Sequence, residues 1–353
     1  MTRTGRFLLY GATGYTGQLT ARAAQAQGMQ PVLAGRDAAR TQAVAMRHGF
    51  EWRAFDLADT ARLDAALHEV DAVLHMAGPF SATSQPMADA CLRTGRHYLD
   101  ITGEIDVFEA LAARNGPAQA AGVMLLPGVG FDVVPSDCLA AHTKRRLPDA
   151  TRLFIAIGGL NKLSRGTART SLQSIDRGTL ARRGGRIVRL PDVPRAAADF
   201  GAGAVPTVAM SWGDVATAWH STRIADIDVH FQLSRTLDRV TRLGALPRRL
   251  LASRLGQRVA RAAIARLPEG PSDAERAGAR SVLLAQAWNA SGVQCRTRLY
   301  TPEAYTLTAL TALEITRRVV GGDFKPGFQT PSLAYGADFI LQFADVRRED
   351  LDA

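Results

Sequence analysis

A glycine-rich turn near the start of the chain leaves few folds open. The apolar run 6–10 precedes a Gly-Ala-Thr-Gly-Tyr-Thr-Gly segment, and a helix-forming segment follows over residues 18–27. Gly11 permits the tight turn, Gly14 lets the backbone approach a pyrophosphate, and Gly17 lets the helix pack closely on the strand. Because a helix N-terminus presents unpaired N–H groups and a positive dipole end, this order of elements predicts a dinucleotide-binding turn. The residues expected to contact the cofactor here are Gly11, Thr13, Gly14, Tyr15, Thr16 and Gly17.

The end of the second apolar run bears on which dinucleotide binds. This run ends at Ala34-Gly35 and is followed at once by Arg36 and Asp37. An NAD site normally has an acid at this strand end, where it holds the ribose 2′-hydroxyl. The planar guanidinium of Arg36 suits a 2′-phosphate instead, since it can donate two parallel hydrogen bonds. We therefore expect NADP in preference to NAD. The alternatives are that Arg36 is simply a solvated arginine and that Asp37 holds a ribose.

Length and composition are those of a soluble globular protein large enough for two domains. The chain has 353 residues, of which 46% are hydrophobic and 22% charged. Its net charge of +10 comes almost wholly from arginine. Such a charge attracts anionic lipid or phosphate-bearing substrates, or reflects the codon bias of a GC-rich genome. Nucleic-acid binding is not expected, because the basic residues are spread out and lack interleaved aromatic residues.

Targeting and metal-binding signals are missing from the sequence. Residues 1–5 lead straight into the first strand without a separate apolar region, which argues against a signal peptide. No apolar run approaches the ~18 residues of a membrane span. Cys91, Cys138 and Cys295 are scattered and lack metal-ligand spacing. We expect a cytoplasmic protein without a metal site.

Strand and helix patterns alternate over the first 135 residues, which predicts an α/β fold with an N-terminal Rossmann doubly wound parallel sheet. Ligands of such sheets bind beyond the carboxyl ends of the strands. Asp56 follows the third strand, and Ala77-Gly78-Pro79 follows the fourth. We therefore expect Asp56 near the adenine, and Ala77, Gly78 and Pro79 beside the ribose or nicotinamide. Asp56 as a simple turn residue is the alternative.

The pattern changes after residue 151 and predicts a second domain of the α+β class, over residues 136–353, with one antiparallel or mixed sheet. Helices are expected at 167–182 and 236–265, and the C-terminal helix is expected to pack back on the first domain, 1–135. Residues 236–266 combine arginines with leucines at three- and four-residue steps, which indicates amphipathic helices. We favour leucines that pack on the second domain over a helix that lies on an anionic membrane surface.

Several motifs resemble those of the saccharopine dehydrogenase-like oxidoreductases. They lie at residues 11–17, 77–80, 98–104 and 127–132. Residues 163–168, 211–214, 270–276 and 327–336 make the chain look closest to the trans-acting enoyl reductase branch. Ser84 and Arg165 depart from the family, since relatives carry glycine there. Ser84 stands just before a helix predicted to begin at Pro86, and Arg165 adds a cation near the substrate region.

The resemblance implies reduction, with NADP, of a C=C (enoyl) or C=N bond in an acyl or amino-acid-derived substrate. It also implies that the substrate cleft is lined by Ser164, Thr167, Trp212 and Asp214. Hydride transfer needs little from the protein beyond orientation and a proton. Among Tyr98, Asp100, Glu104 and Asp132, we expect Asp132 to be the catalytic acid. Its alternative role is to cap the next helix or hold the hinge.

A second class of function fits the same sequence. The chain would then be a Rossmann protein that senses NADP(H), or associates with a membrane surface, without turnover. A peripheral membrane contact and a homodimer complete the expected partners.

Overall fold

The computed structural model describes residues 5–160, 164–166, 178–234, 237–239 and 253–351. The strands in this part of the chain are β1 (Phe7–Tyr10), β2 (Val32–Gly35), β3 (Trp52–Ala54), β4 (Ala72–His75), β5 (His97–Asp100), β6 (Met124–Leu126), β7 (Arg152–Gly158), β8 (Leu180–Arg183), β9 (Arg186–Arg189), β10 (Arg195–Asp199), β11 (Ala204–Ala209), β12 (Asp226–Gln232), β13 (Arg280–Trp288), β14 (Gln294–Pro302), β15 (Gly327–Phe328) and β16 (Arg347–Asp350).

The helices within the same ranges are α1 (Tyr15–Ala26), α2 (Ala38–His48), α3 (Thr60–His68), α4 (Phe80–Thr94), α5 (Ile105–Ala112), α6 (Asn115–Ala120), α7 (Val134–Arg146), α8 (Asp214–Thr222), α9 (Arg254–Ala265), α10 (Asp273–Gly278), α11 (Ala304–Val320) and α12 (Pro331–Tyr335). A short 3-10 helix spans Phe339–Gln342. None of the helices described here is long and apolar enough to cross a membrane.

The chain divides into two compact units. The first contains Met1–Val134 and Tyr305–Gly336, and the second contains Pro135–Ala304 and Ala337–Ala353. The sequence pattern assigns residues 136–353 to the second domain, whereas α11 and β15 lie in the first unit. The physical reason is pairing, since β15 joins the edge strand β6 of the first sheet.

The first unit is built on a seven-stranded sheet with the order β15-β6-β5-β4-β1-β2-β3. Every pair in it is parallel. Its central strands are continuous apolar runs, and Leu8, Leu9 and Leu74 are fully buried. Strands of this kind are covered on both faces, as parallel sheets require. The predicted Rossmann sheet is confirmed, and the carboxyl ends of all its strands lie at one edge.

The second unit is built on a mixed sheet with the order β10-β11-β12-β7-β13-β14-β16. Strands β12 and β7 are parallel, and the other pairs along this path are antiparallel. The predicted α+β character is confirmed.

The helix predicted at 167–182 is wrong at its end, because Leu180–Arg183 forms β8. A two-residue turn, Gly184-Gly185, returns this strand to β9, and both glycines have the positive φ that such hairpins need. Residues 167–177 lie outside the described part.

Only part of the basic segment 236–266 is described. Helix α9 covers its second half, and residues 240–252 lie outside the described part. On α9 the side chain of Val259 is 64% exposed. Neither the membrane-surface contact nor the homodimer is tested by this observation, and both stay predictions.

Helix α4 begins at Phe80 and not at Pro86, which lies inside it. The cause is the Glu104 carboxylate, whose two oxygens accept hydrogen bonds from the N–H groups of Phe80 (2.7 Å) and Ser81 (2.9 Å). A negative charge at this position also complements the positive end of the helix dipole. Ser84 is buried within the first turns.

We expect Glu104→Ala to lower the free energy of unfolding by about 1–3 kcal/mol, because two backbone donors lose a charged acceptor. Urea denaturation measures this loss. Glu104→Gln keeps one acceptor oxygen and should lose less than the alanine variant. Equal stability of the wild type and the alanine variant would contradict the capping role.

Candidate functional site

Gly11 follows β1 and lies against the ends of β2 and β4. Its φ of +91° is a conformation that other residues rarely adopt, and a Cβ atom on it would lie 2.7 Å from the backbone of Met76 and Ala77. Its N–H donates to the Ala34 carbonyl at 2.8 Å. The turn after β1 therefore packs directly on the residues that follow β4, and only glycine fits there.

The first turn of α1 is open at its N-terminus. Gly14 is the N-cap residue, makes no side-chain cap and is exposed to solvent. The Gln18 side chain donates to the Thr13 carbonyl at 3.1 Å, which fixes the turn. Since no acidic side chain lies in this first turn, its N–H groups and dipole are suited to an anion. Gly17 packs so closely that a Cβ atom would be 2.3 Å from the Gly11 carbonyl oxygen. This geometry fits the pyrophosphate of a dinucleotide.

Arg36 stands alone at the end of β2. It is exposed, and it makes no hydrogen bond or ion pair with any residue in the described ranges. Asp37 has a different task, because its Oδ1 accepts the Arg40 N–H at 3.0 Å and caps α2. The alternative in which Asp37 holds a ribose is weakened by this bond. A guanidinium without an acidic partner fits the 2′-phosphate of NADP.

The ends of β1, β2 and β3 meet at Tyr10. Burial raises the pKa of Tyr10 to about 12, with the Asp56 carboxylate nearby raising it and the Arg36 guanidinium lowering it. The Tyr10 hydroxyl donates to the Phe55 carbonyl at 3.2 Å. Asp56 is exposed, and its Oδ1 accepts the Ala58 N–H at 2.9 Å. Asp56 therefore has the alternative turn role, and its place near the adenine stays a prediction.

We expect Arg36→Ala to weaken NADPH binding by about 10- to 100-fold, because charged hydrogen bonds to phosphate are lost. NADH lacks the 2′-phosphate, so its affinity should not change. Titration monitored by intrinsic fluorescence compares the two cofactors. Arg47→Ala, an exposed arginine at the far end of α2, is the matched control. An equal loss for NADH and NADPH would remove the phosphate argument.

The residues after β4 are held by a threonine on α4. The Thr83 Oγ1 atom lies 2.7 Å from the Ala77 carbonyl oxygen and 3.1 Å from that of Pro79. It also lies 2.9 Å from His75 Nε2, so this buried histidine has a structural partner. Gly78 between them is exposed, and a Cβ atom there would meet only the Phe80 ring at ordinary contact distance. Ala77 thus lies beside Gly11, and the place of Ala77, Gly78 and Pro79 next to the cofactor stays a prediction.

Asp100 organises the loops that follow β5 and β6. Its Oδ2 accepts the Tyr98 hydroxyl at 2.6 Å, and its Oδ1 accepts the N–H groups of Thr102 (2.9 Å) and Gly128 (3.0 Å). Burial raises the pKa of Asp100 to about 6, although these hydrogen bonds oppose the rise. Tyr98 is a buried aromatic residue with a satisfied hydroxyl. Asp100 thus holds the two loops together through its hydrogen bonds, and the Tyr98 hydroxyl is bound to Asp100.

Asp132 lies in the loop that follows β6. Its Oδ2 is 3.1 Å from the position that a Cβ atom on Gly103 would take, so Gly103 makes room for the carboxyl group. Burial raises the pKa of Asp132 to about 7. A carboxyl group with this pKa still carries its proton in a substantial fraction of the molecules near neutral pH, and it can donate that proton. The catalytic role itself stays a prediction.

Three of the four expected substrate residues, Ser164, Trp212 and Asp214, lie in the described part of the second unit. Trp212 packs edge-on against Phe231, with ring centroids 4.8 Å apart, and Asp214 is fully buried in the first turn of α8. Ser164 is also buried. Thr167 lies outside the described residues. Their place in a substrate cleft stays a prediction.

Arg165, the departure from the family pattern, is engaged within the second unit. Its Nε donates to the Leu267 carbonyl at 2.5 Å, and its guanidinium lies 3.8 Å from a Glu269 oxygen. The added cation is therefore paired with an acid. In the part of the chain that the structure describes, no group of three His, Cys, Asp or Glu residues could hold a metal ion.

Two contacts of the first unit were not predicted from the sequence. Glu104 caps α4, as described above. Tyr305, from α11, packs edge-on against Tyr15 of the glycine turn, with ring centroids 5.2 Å apart. A sequence pattern gives no signal for Tyr305, because its partner lies near the other end of the chain.

Part of the chain is similar in sequence to known oxidoreductases. A family model of the saccharopine dehydrogenase NADP-binding domain matches residues 7–126. A trans-acting enoyl reductase of Mycobacterium leprae (strain TN) is 33% identical over 148 residues, which cover 40% of this chain and 35% of that protein. A saccharopine dehydrogenase-like oxidoreductase of Homo sapiens is 26% identical over 165 residues, which cover 41% of this chain and 38% of that protein. The chain thus spans little more than a third of each of these relatives.

The fold extends over the whole chain. Apo saccharopine dehydrogenase (L-Glu forming) from Saccharomyces cerevisiae superposes with a TM-score of 0.66 at 13% identity, over 99% of this chain and 100% of that chain. The family resemblance drawn from the motifs is confirmed, and so is the expected cofactor class. Residues 7–126 of the chain therefore match a saccharopine dehydrogenase NADP-binding domain, and the fold resembles that of saccharopine dehydrogenase.

Proposed function

We propose that the chain is an NADP-dependent oxidoreductase that reduces a C=C (enoyl) or C=N bond of an acyl or amino-acid-derived substrate. The observation that carries the proposal is a shared edge. Because all strands of the first sheet are parallel, the glycine turn after β1, Arg36 after β2 and Asp132 after β6 follow strand ends on one side. A dinucleotide-binding turn and a carboxyl group able to give a proton, both at the same edge, suit the reduction of a polarised double bond.

Different residues bind different parts of the cofactor. The turn at Gly11 and the first turn of α1 hold the pyrophosphate through backbone N–H groups. Arg36 holds the 2′-phosphate, and Ala77-Gly78 lies beside the ribose or nicotinamide. Bound NADPH supplies the hydride.

Asp132 supplies the matching proton. It gives this proton to the α-carbon of an enoyl thioester, or to the nitrogen of an imine, and is left as a carboxylate. The carboxylate then takes a proton from water. Because burial raises the pKa of Asp132 to about 7, the group can both give and regain a proton near neutral pH.

The test has two stages. The first is fluorescence titration with NADPH and NADH, where tighter binding of NADPH supports the cofactor site. The second follows NADPH consumption with an α,β-unsaturated acyl thioester and with an imine. Turnover of one class assigns the bond that is reduced. Binding without turnover of either favours the non-catalytic NADP(H)-binding alternative, and a protein that binds neither cofactor overturns the proposal.

A further inference from the structure

Helix α11 contacts the loop that carries Asp132. The Thr308 hydroxyl accepts the Phe131 N–H at 2.9 Å, and the Thr311 hydroxyl donates to the Val129 carbonyl at 2.8 Å. Both threonines are buried. The helix is thus fixed by hydrogen bonds to the backbone directly before Asp132.

The same helix contacts the glycine turn. Tyr305 lies in its first turn, three residues before Thr308, so the two side chains project from the same face of the helix. The ring of Tyr305 meets the ring of Tyr15 at an interplanar angle of 87°, an edge-to-face arrangement. Tyr15 is the first residue of α1 and follows Gly14 directly. One face of α11 therefore touches both the phosphate-binding turn and the loop of Asp132.

We propose that Tyr305 is a positioning residue for the dinucleotide. Its ring holds Tyr15, and with it the first turn of α1, in the orientation that presents the N–H groups to the pyrophosphate. Through Thr308 the same helix holds the Asp132 loop, so the distance between cofactor and acid is set by one rigid element. This inference rests on the proposed NADPH site.

Tyr305 contacts Tyr15 from a helix that lies far along the chain from the glycine turn. An edge-to-face pair restrains such a ring without filling the space in front of the helix N-terminus, where the phosphates bind. Tyr305 can therefore order the turn and leave the binding position open.

The test is a double-variant cycle on NADPH affinity, measured by fluorescence titration. Tyr305→Ala should raise the Kd by about 2- to 12-fold, the range expected for loss of an aromatic pair. Tyr305→Phe keeps the ring and should bind as the wild type does. In the background of Tyr15→Ala, the Tyr305→Ala change should cause no further loss, because the partner ring is already absent. Tyr335→Ala, which removes a tyrosine elsewhere in the first unit, should leave the affinity unchanged.

Thermal melting of each variant separates loss of affinity from loss of fold. Unchanged NADPH affinity in a folded Tyr305→Ala variant would overturn the inference, as would losses that multiply in the double variant. If the wild type itself does not bind NADPH, the cofactor assignment fails and the inference fails with it. If the wild type binds and Tyr305→Ala binds equally well, only the inference fails.

Discussion

Asp132→Asn is expected to lower the rate of substrate reduction by about 10²- to 10⁴-fold, the contribution typical of a positioned acid. Asparagine has nearly the same shape and fits beside Gly103, but its amide cannot give up a proton to the product. NADPH affinity should not change, because Asp132 does not hold the cofactor. Steady-state rates with the acceptor identified by screening, together with a fluorescence titration, measure both quantities. Full turnover by the asparagine variant would remove Asp132 from the mechanism.

The same variant is expected to change the pH dependence of stability. Burial raises the pKa of Asp132 from 3.8 to about 7 in the folded chain. The stabilising contribution of this group is therefore complete below pH 3.8 and is lost as the pH rises through about 7. Asp132→Asn should be more stable than the wild type in mildly alkaline buffer, and the difference should shrink toward acid pH. Urea denaturation across this range measures the difference, and parallel curves for the two proteins would contradict the raised pKa.

Alanine substitutions at two neighbouring glycines are expected to affect different properties. The change at Gly17 should lower stability, and the change at Gly14 should lower NADPH affinity. At Gly17 a Cβ atom would lie 2.3 Å from the Gly11 carbonyl oxygen and 2.8 Å from the Ala12 Cα atom. Both are backbone atoms that cannot move without shifting β1 and α1. Gly17→Ala should therefore destabilise the protein by about 3 kcal/mol or more, the upper range of overpacking.

Gly14→Ala should leave the fold intact. Its φ of −77° is ordinary, and the added Cβ atom would meet only the Gly11 carbonyl oxygen, at 3.5 Å. The loss of stability should stay below about 1 kcal/mol. The methyl group nevertheless occupies the side on which the pyrophosphate approaches, so NADPH affinity should fall by about 10-fold or more. Urea denaturation and titration of both variants test this pair, and similar stabilities for the two would contradict the packing seen at Gly17.

The parts of the fold that sequence predicts well are those with local causes. Strands β1, β2, β4 and β6 are short, mostly apolar runs bounded by turn residues, and the glycine turn after β1 has its signal within seven residues. Asp59 caps the helix that follows it, through the N–H three residues on. Such features depend on neighbours in the chain, so the pattern alone indicates them.

The features that sequence misses depend on distant partners. Helix α4 starts at Phe80 because Glu104, 24 residues later, accepts its N–H group. Thr308 meets Phe131 across 177 residues, and no periodicity in either segment indicates that contact. The same holds for the candidate site, where the glycine-turn residues and Arg36 were predicted because their motifs are local. The contact between Tyr305 and Tyr15 is known only from the structure.

The discontinuous first unit has a consequence for how the protein is made. Strand β6 ends at Leu126, but its neighbour β15 begins only at Gly327. On the ribosome roughly 200 residues separate the two, which is about 10–40 s of synthesis at ordinary rates. During that time β6 is an unpaired edge, and such edges are sites of wrong pairing with other chains. The nascent chain is thus expected to be most prone to aggregation after its first unit has begun to fold and before residue 336 has emerged.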